Sequence, residues 1–273
     1  MQTQDFERRF ALDLIAARAN RQHLAPVVDE RFDQISAYRI ARRVRDAQVA
    51  AGALPIGRKI GFTNRSIWPE YGVFEPIWAH VYDTTVAYQH GTDASVSLAR
   101  FVEPRLEPEI ILHFSATPPV AATPAQLVAA IDWIAHGFEI VDSPFPSWRF
   151  SVADTVAAFS LHGCLIIGPP LPIERFGATP EEVIATLSGL RIELACNDLP
   201  RDAGVGANVL DGPIQACAHL SRLLVDQPAF APLTAGEVVT TGTLTRAWPI
   251  RAGERWSTQF NGVALAGLQL TVR

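Results

Sequence analysis

The stretch "RLEPEIILHF", residues 105–114, constrains the fold more than any other part of the chain. A strand places successive side chains on opposite faces, so Arg105, Glu107, Glu109 and His113 share one side while Leu106, Ile110, Leu112 and Phe114 share the other. Two carboxylates therefore converge where the strand enters an apolar core. One reading is a half-buried strand whose polar side meets water, with Arg105 and His113 offsetting the two negative charges. A second reading starts from Glu139, which interrupts another apolar run in "HGFEIVDSPF". An isolated ionised carboxylate is so unfavourable in a low-dielectric interior that a buried glutamate is protonated, paired with a base, or bound to a cation. Few Lys or Arg neighbour the three glutamates in sequence. All-oxygen ligation suits a hard divalent ion, Mg2+ or Mn2+, with the remaining positions left to water or substrate.

The 273 residues are enough for one large domain, or for a domain with a smaller appendage. Residues 5–21 place Phe6, Phe10 and Leu14 at helical spacing, and 31–51 repeat the pattern with Phe32, Ile35, Ile40 and Val44 before Gly52. From "GRKIGFT" onward, short apolar segments cut by Pro and Gly indicate mixed strands and turns. A boundary near residue 54 follows, dividing the chain into a helical piece, 1–53, and a strand-rich piece, 54–273. Two helices interrupt the strands. "TPAQLVAAIDWIAHG" offers Thr123 as N-cap, Pro124 at the first helical position, Gln126 as capping-box partner and Gly137 as the stop. "DGPIQACAHLSRLL" begins in the same way with Pro213. The chain closes in a β unit, "EVVTTGTL", "RWSTQF" and "VALAGLQLTVR", with Asn261-Gly262 predicted as a type I′ hairpin turn.

Several function classes are excluded by what the chain contains. Cys164, Cys196 and Cys217 make an odd set without zinc-like spacing, which points to core packing in a reducing, cytoplasmic setting. The N-terminus is charged, and apolar runs such as "LIIGPP" are too short to span a bilayer, so no membrane association is expected. A net charge of -5 argues against nucleic acid, and "RIARRVR" at 39–45 reads as a solvated helix face. Neither a GxGxxG nor a P-loop pattern is present.

Five stretches carry a resemblance: "KIGFTN" at 59–64, "EPRLEPEI" at 103–110, "FEIVDSPFPSWRFSVADTVA" at 138–157, "GVGANVLDGPIQA" at 204–216 and "VVTTGTLT" at 238–245. In this order they resemble the fumarylacetoacetate hydrolase superfamily, and within it the 2-keto-4-pentenoate hydratase branch. The resemblance implies an α+β fold, a mixed β-roll preceded by a small helical N-terminal subdomain. It also implies that Glu107, Glu109 and Glu139 hold Mg2+ or Mn2+ and that a small-molecule 2-oxo or 2-hydroxydienoic acid chelates the ion, which stabilises its enolate. Lys59 is the implied catalytic acid/base, with a pKa expected to be lowered beside a divalent cation in a partly dry pocket. Gly61 of the same Lys-x-Gly segment, Asp142, Asp154 in "VADTVA" and Thr243 in "TTGTLT" are the implied substrate-binding residues. For Asp142 a turn-forming role stays open, and for Thr243 that of an ordinary strand residue. Trp68, Tyr71, Phe74 and Trp78 are expected in a flap over the site or in an oligomer contact. His113 and His136 are expected to be structural.

The branch implies a homo-oligomeric lyase, with hydration as the leading reaction. Decarboxylation, C–C bond hydrolysis or a catalytically altered partner subunit are the alternatives, because two segments depart from the pattern. Where the branch has a Pro-Asp pair whose Asp partners the lysine, this chain has Pro76-Ile77, with Glu75 and His80 as neighbouring substitutes. "AFSLH", 158–162, replaces a polar Asp-Asn-Ala-Ser-Ser-like stretch. Phe159 and Leu161 there either reshape the distal pocket or pack the core.

Overall fold

The helical spacing of the N-terminal segment forms α1 (Thr3–Asn20) and α2 (Gln34–Ala50). Asp33 caps α2, its side chain accepting from Ser36 N at 2.8 Å. This computed structural model describes residues 3–29 and 31–273. Met1, Gln2 and Glu30 of the 1–53 segment lie outside it, as do the side chains of Thr3, Glu70 and Tyr71. Five further helices are short: α3 (Trp68–Tyr71), α4 (Pro124–Val128), α5 (Val152–Ala157), α6 (Pro180–Gly189) and α7 (Pro213–Leu223).

Among the described residues, fourteen strands make two sheets. One contains β1 (Pro55–Gly61), β2 (Ile77–Tyr82), β3 (Val86–Tyr88), β5 (Pro104–Phe114), β6 (Ile131–Asp142), β7 (His162–Ile167) and β11 (Val238–Thr243) in the order β2-β1-β11-β5-β6-β7-β3. The two-residue β8 (Leu171–Pro172) pairs with β6, and β12 (Trp248–Pro249) with β5. The second sheet runs β10-β9-β13-β14-β4, from β4 (Asp93–Val96), β9 (Arg191–Cys196), β10 (Leu199–Val205), β13 (Arg255–Asn261) and β14 (Gln269–Val272). The β1–β11, β3–β7 and β4–β14 pairs are parallel and the others antiparallel, so both sheets are mixed.

The large sheet has two unlike faces. Leu106, Phe138, Ile140, Cys164 and Ile166 point to one side and pack against Leu194, Trp256, Leu268 and Leu270 of the second sheet. Farther along that side, Ile110, Leu112 and Phe114 pack with Leu127, Leu187 and Leu220 of α4, α6 and α7. The opposite face carries Glu107, Glu109 and Glu139. It is covered at one end by α5, whose Val156 and Ala157 share a cluster with Ile77, Val141 and the N-terminal Phe10, Leu14 and Ile40. The N-terminal helices thus brace the element lying over the carboxylate face.

Two sequence expectations are corrected. The capping box of Thr123 and Gln126 and Pro124 at the first helical position all form, but α4 ends at Val128 instead of running to Gly137. The apolar run that follows is β6, a strand buried on both faces. Such a strand shows no period-2 signal, so tertiary pairing with β5 overrides the helical reading. Gly137 serves close packing, not termination: a Cβ there would stand 2.6 Å from the Ile166 carbonyl oxygen. Asn261-Gly262 is not a two-residue hairpin either. Only Gly262 has positive φ, 80°, and Asn261 pairs with Arg191 of β9, while β14 starts at Gln269 after a longer connection.

Candidate active site

Strand alternation and register assemble the site from β1, β5, β6, β7 and β11. Glu107 sits directly opposite Glu139 across the β5–β6 pair, and Glu109 opposite Thr243 across β5–β11. Lys59 pairs with Thr240 in the parallel β1–β11 ladder, which turns its side chain to the same face. One carboxylate oxygen from each of Glu107, Glu109 and Glu139 lies within 4.8 Å of the others. Lys59 Nζ is 3.1 Å from Glu139 Oε2. Lys59, Glu109 and Glu139 are buried and Glu107 is half-buried.

The two inner glutamates are held by different groups. Glu109 Oε2 accepts from the Thr240 hydroxyl and, at 2.8 Å, from Gly242 N–H. Both donors reach one oxygen because β11 bulges between Thr240 and Thr243. Gly242 has φ 103°, and a Cβ would stand 1.9 Å from Thr63 Oγ1, so glycine is required there. Glu139 Oε1 instead lies 2.7 Å from His162 Nδ1, and His162 Nε2 lies 2.8 Å from Thr85 Oγ1.

These surroundings separate the carboxyl pKa values. Burial, then the charges of Glu139 and Glu107, raise Glu109 well above the carboxylate range. Burial lifts Glu107 to about 7 against the pull of Lys59. Glu139 moves the other way: burial works to raise it, but Lys59 and His162 together outweigh that and hold it low. Burial lowers His162 in spite of Glu139, which favours a neutral ring. For Lys59, burial disfavours the ammonium, yet Glu139, Glu107 and Glu109 outweigh it and raise its pKa. The lowered value expected from sequence assumed a cation in the balance; among protein groups alone the carboxylates decide.

Glu107 and Lys59 line a cavity of about 110 Å³ whose walls also include Ile67, Ile77, Val141, Phe150 and Leu161. Of the expected substrate-binding residues, Gly61 and Thr243 line it. Asp142 does not. It is three residues after Glu139 on β6 and so on the opposite face, where it accepts from Val102 N at 2.9 Å and Glu103 N at 2.8 Å. Asp154 is buried at the start of α5, accepting from Ser151 N and Oγ, both at 2.8 Å, and from Val27 N at 3.0 Å. Those bonds tie α5 to the N-terminal segment and account for its carboxylate without a ligand.

Neither neighbouring substitute for the missing aspartate stands beside Lys59: Glu75 is exposed and lines a separate groove with Tyr38 and Gln227. His80 projects to the other face of β2, with its ring 5.1 Å from that of Trp78, and Ile77 faces the cavity opposite Gly61. Trp78 is likewise core, donating to Gln227 Oε1 at 2.8 Å, and is not part of a flap. Trp68 is tied to Phe62 O at 2.8 Å, Phe74 is exposed, and the Tyr71 side chain lies outside the described residues. Leu161 enters the cavity wall, while Phe159 packs beneath the Arg18 guanidinium, 4.5 Å from its ring centre. His113 pairs with Asp132 at 2.5 Å, and His136 bridges Glu109 O and Thr258 Oγ1 at 3.0 and 2.9 Å, so both are structural. Sequence reading missed Thr240 and His162, and it missed Arg105 as a cavity residue whose guanidinium lies 3.9 Å from the centre of the Trp148 ring.

The Fumarylacetoacetate (FAA) hydrolase C-terminal profile matches residues 72–271. The chain belongs to the fumarylacetoacetate hydrolase family. Within this family it is 30% identical over 263 residues to a 2-hydroxyhexa-2,4-dienoate hydratase of Comamonas testosteroni, covering 94% of this chain and 95% of that one. It is 28% identical over 210 residues to a 4-oxalocrotonate decarboxylase of a Pseudomonas species, covering 76% of this chain and 75% of the relative. Its fold matches a 4-oxalocrotonate decarboxylase from Pseudomonas putida G7, solved with magnesium and adipate, with a TM-score of 0.88 at 23% identity over 100% of this chain and 99% of that one. The expected α+β architecture, a curled mixed sheet with N-terminal helices, is the family's fold.

Proposed function

We propose that this chain is a divalent-cation-dependent hydratase of short 2-hydroxydienoic or 2-oxo-enoic acids. The carboxylate trio beside Lys59 carries the reading. Burying one unpaired carboxylate costs several kcal/mol, and here one lysine faces three. The donor set fits a hard cation, because among the described residues Glu109 Oε1 has no hydrogen-bond donor and Glu139 Oε2 has only the Lys59 ion pair. Glu107, Glu109 and Glu139 would hold the ion, with Mg2+ and Mn2+ as first choices. A divalent ion bound there supplies Lewis acidity toward the oxygens of a 2-oxo acid.

The protein's own groups do the rest. Lys59 Nζ, kept protonated by the carboxylates, is the acid that delivers a proton to the substrate's carbon chain, and as the free amine it takes one back. Thr243 and Gly61 present a polar edge and close backbone to the ligand. The wall of Ile67, Ile77, Val141, Phe150 and Leu161 suits an unsaturated carbon tail and keeps bulk water from it. Ile77, facing the cavity where an acidic partner of Lys59 was expected, favours a second reading: decarboxylation or C–C hydrolysis at the same trio.

Incubation with 2-hydroxypenta-2,4-dienoate and longer homologues, with Mg2+ or Mn2+, tests this. Metal-dependent loss of the dienol ultraviolet band with a 4-hydroxy-2-oxo product supports hydration. Carbon dioxide release supports decarboxylation, two shorter acids support hydrolysis, and no metal-dependent loss across the panel overturns hydration. We also read the chain as a 1–53 helical subdomain on a 54–273 catalytic domain, acting as a cytoplasmic homo-oligomer. Exposed Ile35 and Phe74, together with three unpaired cysteines, support that reading, and light scattering tests the subunit count.

A further inference from the structure

We infer that His162, fixed by Thr85, is a positioning residue that holds Glu139 ready for the divalent cation. The inference rests on the cation reading above. His162 and Glu139 are both buried, and their side chains meet at 2.7 Å through Nδ1 and Oε1. With Nδ1–H donated to the carboxylate, Nε2 lies 2.8 Å from Thr85 Oγ1, a hydroxyl that Tyr82 also holds through its carbonyl oxygen at 3.0 Å. One oxygen of Glu139 is thereby fixed by the ring, which directs the other toward Lys59 and the remaining glutamates.

The backbone is built to deliver this ring. Phe159, Ser160 and Leu161 have φ of 59°, 46° and 60°, three successive residues in the left-handed region that non-glycine side chains disfavour. The turn is anchored where Ser160 Oγ donates to Trp78 O at 2.9 Å. β7 then starts with an irregularity. Cys164 pairs with Ile140, but Val141 pairs with His162, leaving Gly163 as the extra residue. Without that bulge the residue opposite Val141 would be 163, and His162 would project to the far face, away from Glu139. Gly163 is the residue the bulge demands, since a Cβ there would stand 2.5 Å from Ile140 O and 2.9 Å from Phe101 Cε1. A strained turn and a glycine bulge both serve to put one imidazole behind one carboxylate. Arg18 fixes the bulge from outside, donating to His162 O at 2.8 Å and Gly163 O at 3.0 Å. The far side of this assembly faces a separate cavity lined by Arg18, Arg100 and Asp142, so His162 spans the wall between that cavity and the carboxylate site.

Mn2+ affinity, measured by calorimetry on the full chain, tests the inference without relying on turnover. His162→Leu keeps similar bulk and removes the donor. It is expected to bind Mn2+ about tenfold to a hundredfold more weakly, the range for losing a partner that orients a metal ligand. His162→Asn places an amide near the position of Nδ1 and is expected to recover affinity to within about threefold of wild type, a rescue that a merely space-filling role would not give. If His162→Leu does not fold, as judged by circular dichroism with chelator present, His162→Gln makes the same comparison, because its amide reaches toward Thr85 and not Glu139. Wild-type affinity in the folded Leu or Gln variant, or equal weakening in the Asn variant, overturns the inference while leaving the cation reading intact. A wild-type protein that binds no Mn2+ overturns both.

Discussion

Glu139 and Glu109 lie on adjacent strands of one sheet face, yet the protein treats them in opposite ways. Glu139 is paired with a cationic lysine and an imidazole, so it is ionised with protein groups alone. Glu109 is met by a hydroxyl and a backbone N–H, both neutral, and burial with its two acidic neighbours raises its pKa. The first carboxylate is a permanent anion around which the site is organised. The second, with half-buried Glu107, has its charged form disfavoured by burial. This division keeps a buried trio of acids compatible with folding, since three simultaneous charges against one lysine would each bear a large desolvation cost.

Removing either inner carboxylate should have the largest effect. Glu109→Gln and Glu139→Gln are nearly isosteric, and each is expected to abolish detectable Mn2+ and Mg2+ binding. Wild type should gain roughly 3 kcal/mol of stability at a hundredfold metal excess over its dissociation constant, and both variants should gain none. Thermal unfolding with metal and with chelator measures this. An equal shift in wild type and variants would return the 105–114 strand to the reading of a polar face.

Lys59→Met comes next. Loss of a positioned acid/base is expected to lower kcat about a hundredfold to ten-thousandfold, while metal affinity holds or rises because a positive charge has left the neighbourhood. Weakened metal binding with unchanged kcat would make Lys59 a structural counter-ion only.

The contrast between the two glutamates also has a pH signature. Burial raises Glu107 to about 7 and raises Glu109 as well, so protons compete with a cation for these carboxylates as pH falls. Affinity should therefore fall as pH drops through about 7, by about tenfold per unit for each proton displaced. Calorimetry in buffers of different ionisation enthalpy should register proton release. A flat profile between about pH 8 and about pH 6 would show that Glu107 is not a ligand with a raised pKa. A smaller effect is expected for Thr240→Val, which leaves Glu109 with Gly242 N–H as its remaining donor of the pair. About tenfold weaker Mn2+ binding is anticipated, and no change would mean that the bulge alone orients Glu109.

Much of this site was legible because strand alternation is a rigid rule. Glu107 and Glu109 had to share a face, and an apolar run around Glu139 had to bury it. The residues that hold those carboxylates were not legible, and the reason is specific. Thr240 and Gly242 differ by two positions but reach one oxygen through a bulge, and His162 faces Glu139 only because Gly163 breaks the register. A bulge is an exception to the period on which sequence reading depends, and an isolated glycine in a strand is its faint mark. The same weakness hid β6, where a strand apolar on both faces after a well-formed capping box imitated a helix. The helices at 3–20 and 34–50, with one buried stripe each, were read from their spacing within a few residues.

The smallest effect belongs to Asp142, which shares β6 with Glu139 and shows what face alone decides. Both are acidic, three residues apart and on a strand that runs past the site. Glu139 points to Glu107, Glu109 and Lys59, whereas Asp142 points to the backbone N–H groups of Val102 and Glu103 and closes a loop. Burial raises its pKa against those two bonds. Asp142→Asn keeps an oxygen acceptor for the two N–H groups and removes only charge. It is expected to leave Mn2+ affinity and kcat unchanged within about twofold and to cost about 1 kcal/mol of stability at most. A tenfold loss of either function would mean that the far face of β6 communicates with the trio, most directly through Arg18 and the bulge that carries His162, both of which border the same cavity as Asp142. In that event the His162→Leu and Asp142→Asn losses should fail to add in the double variant, as expected for residues acting through one shared element.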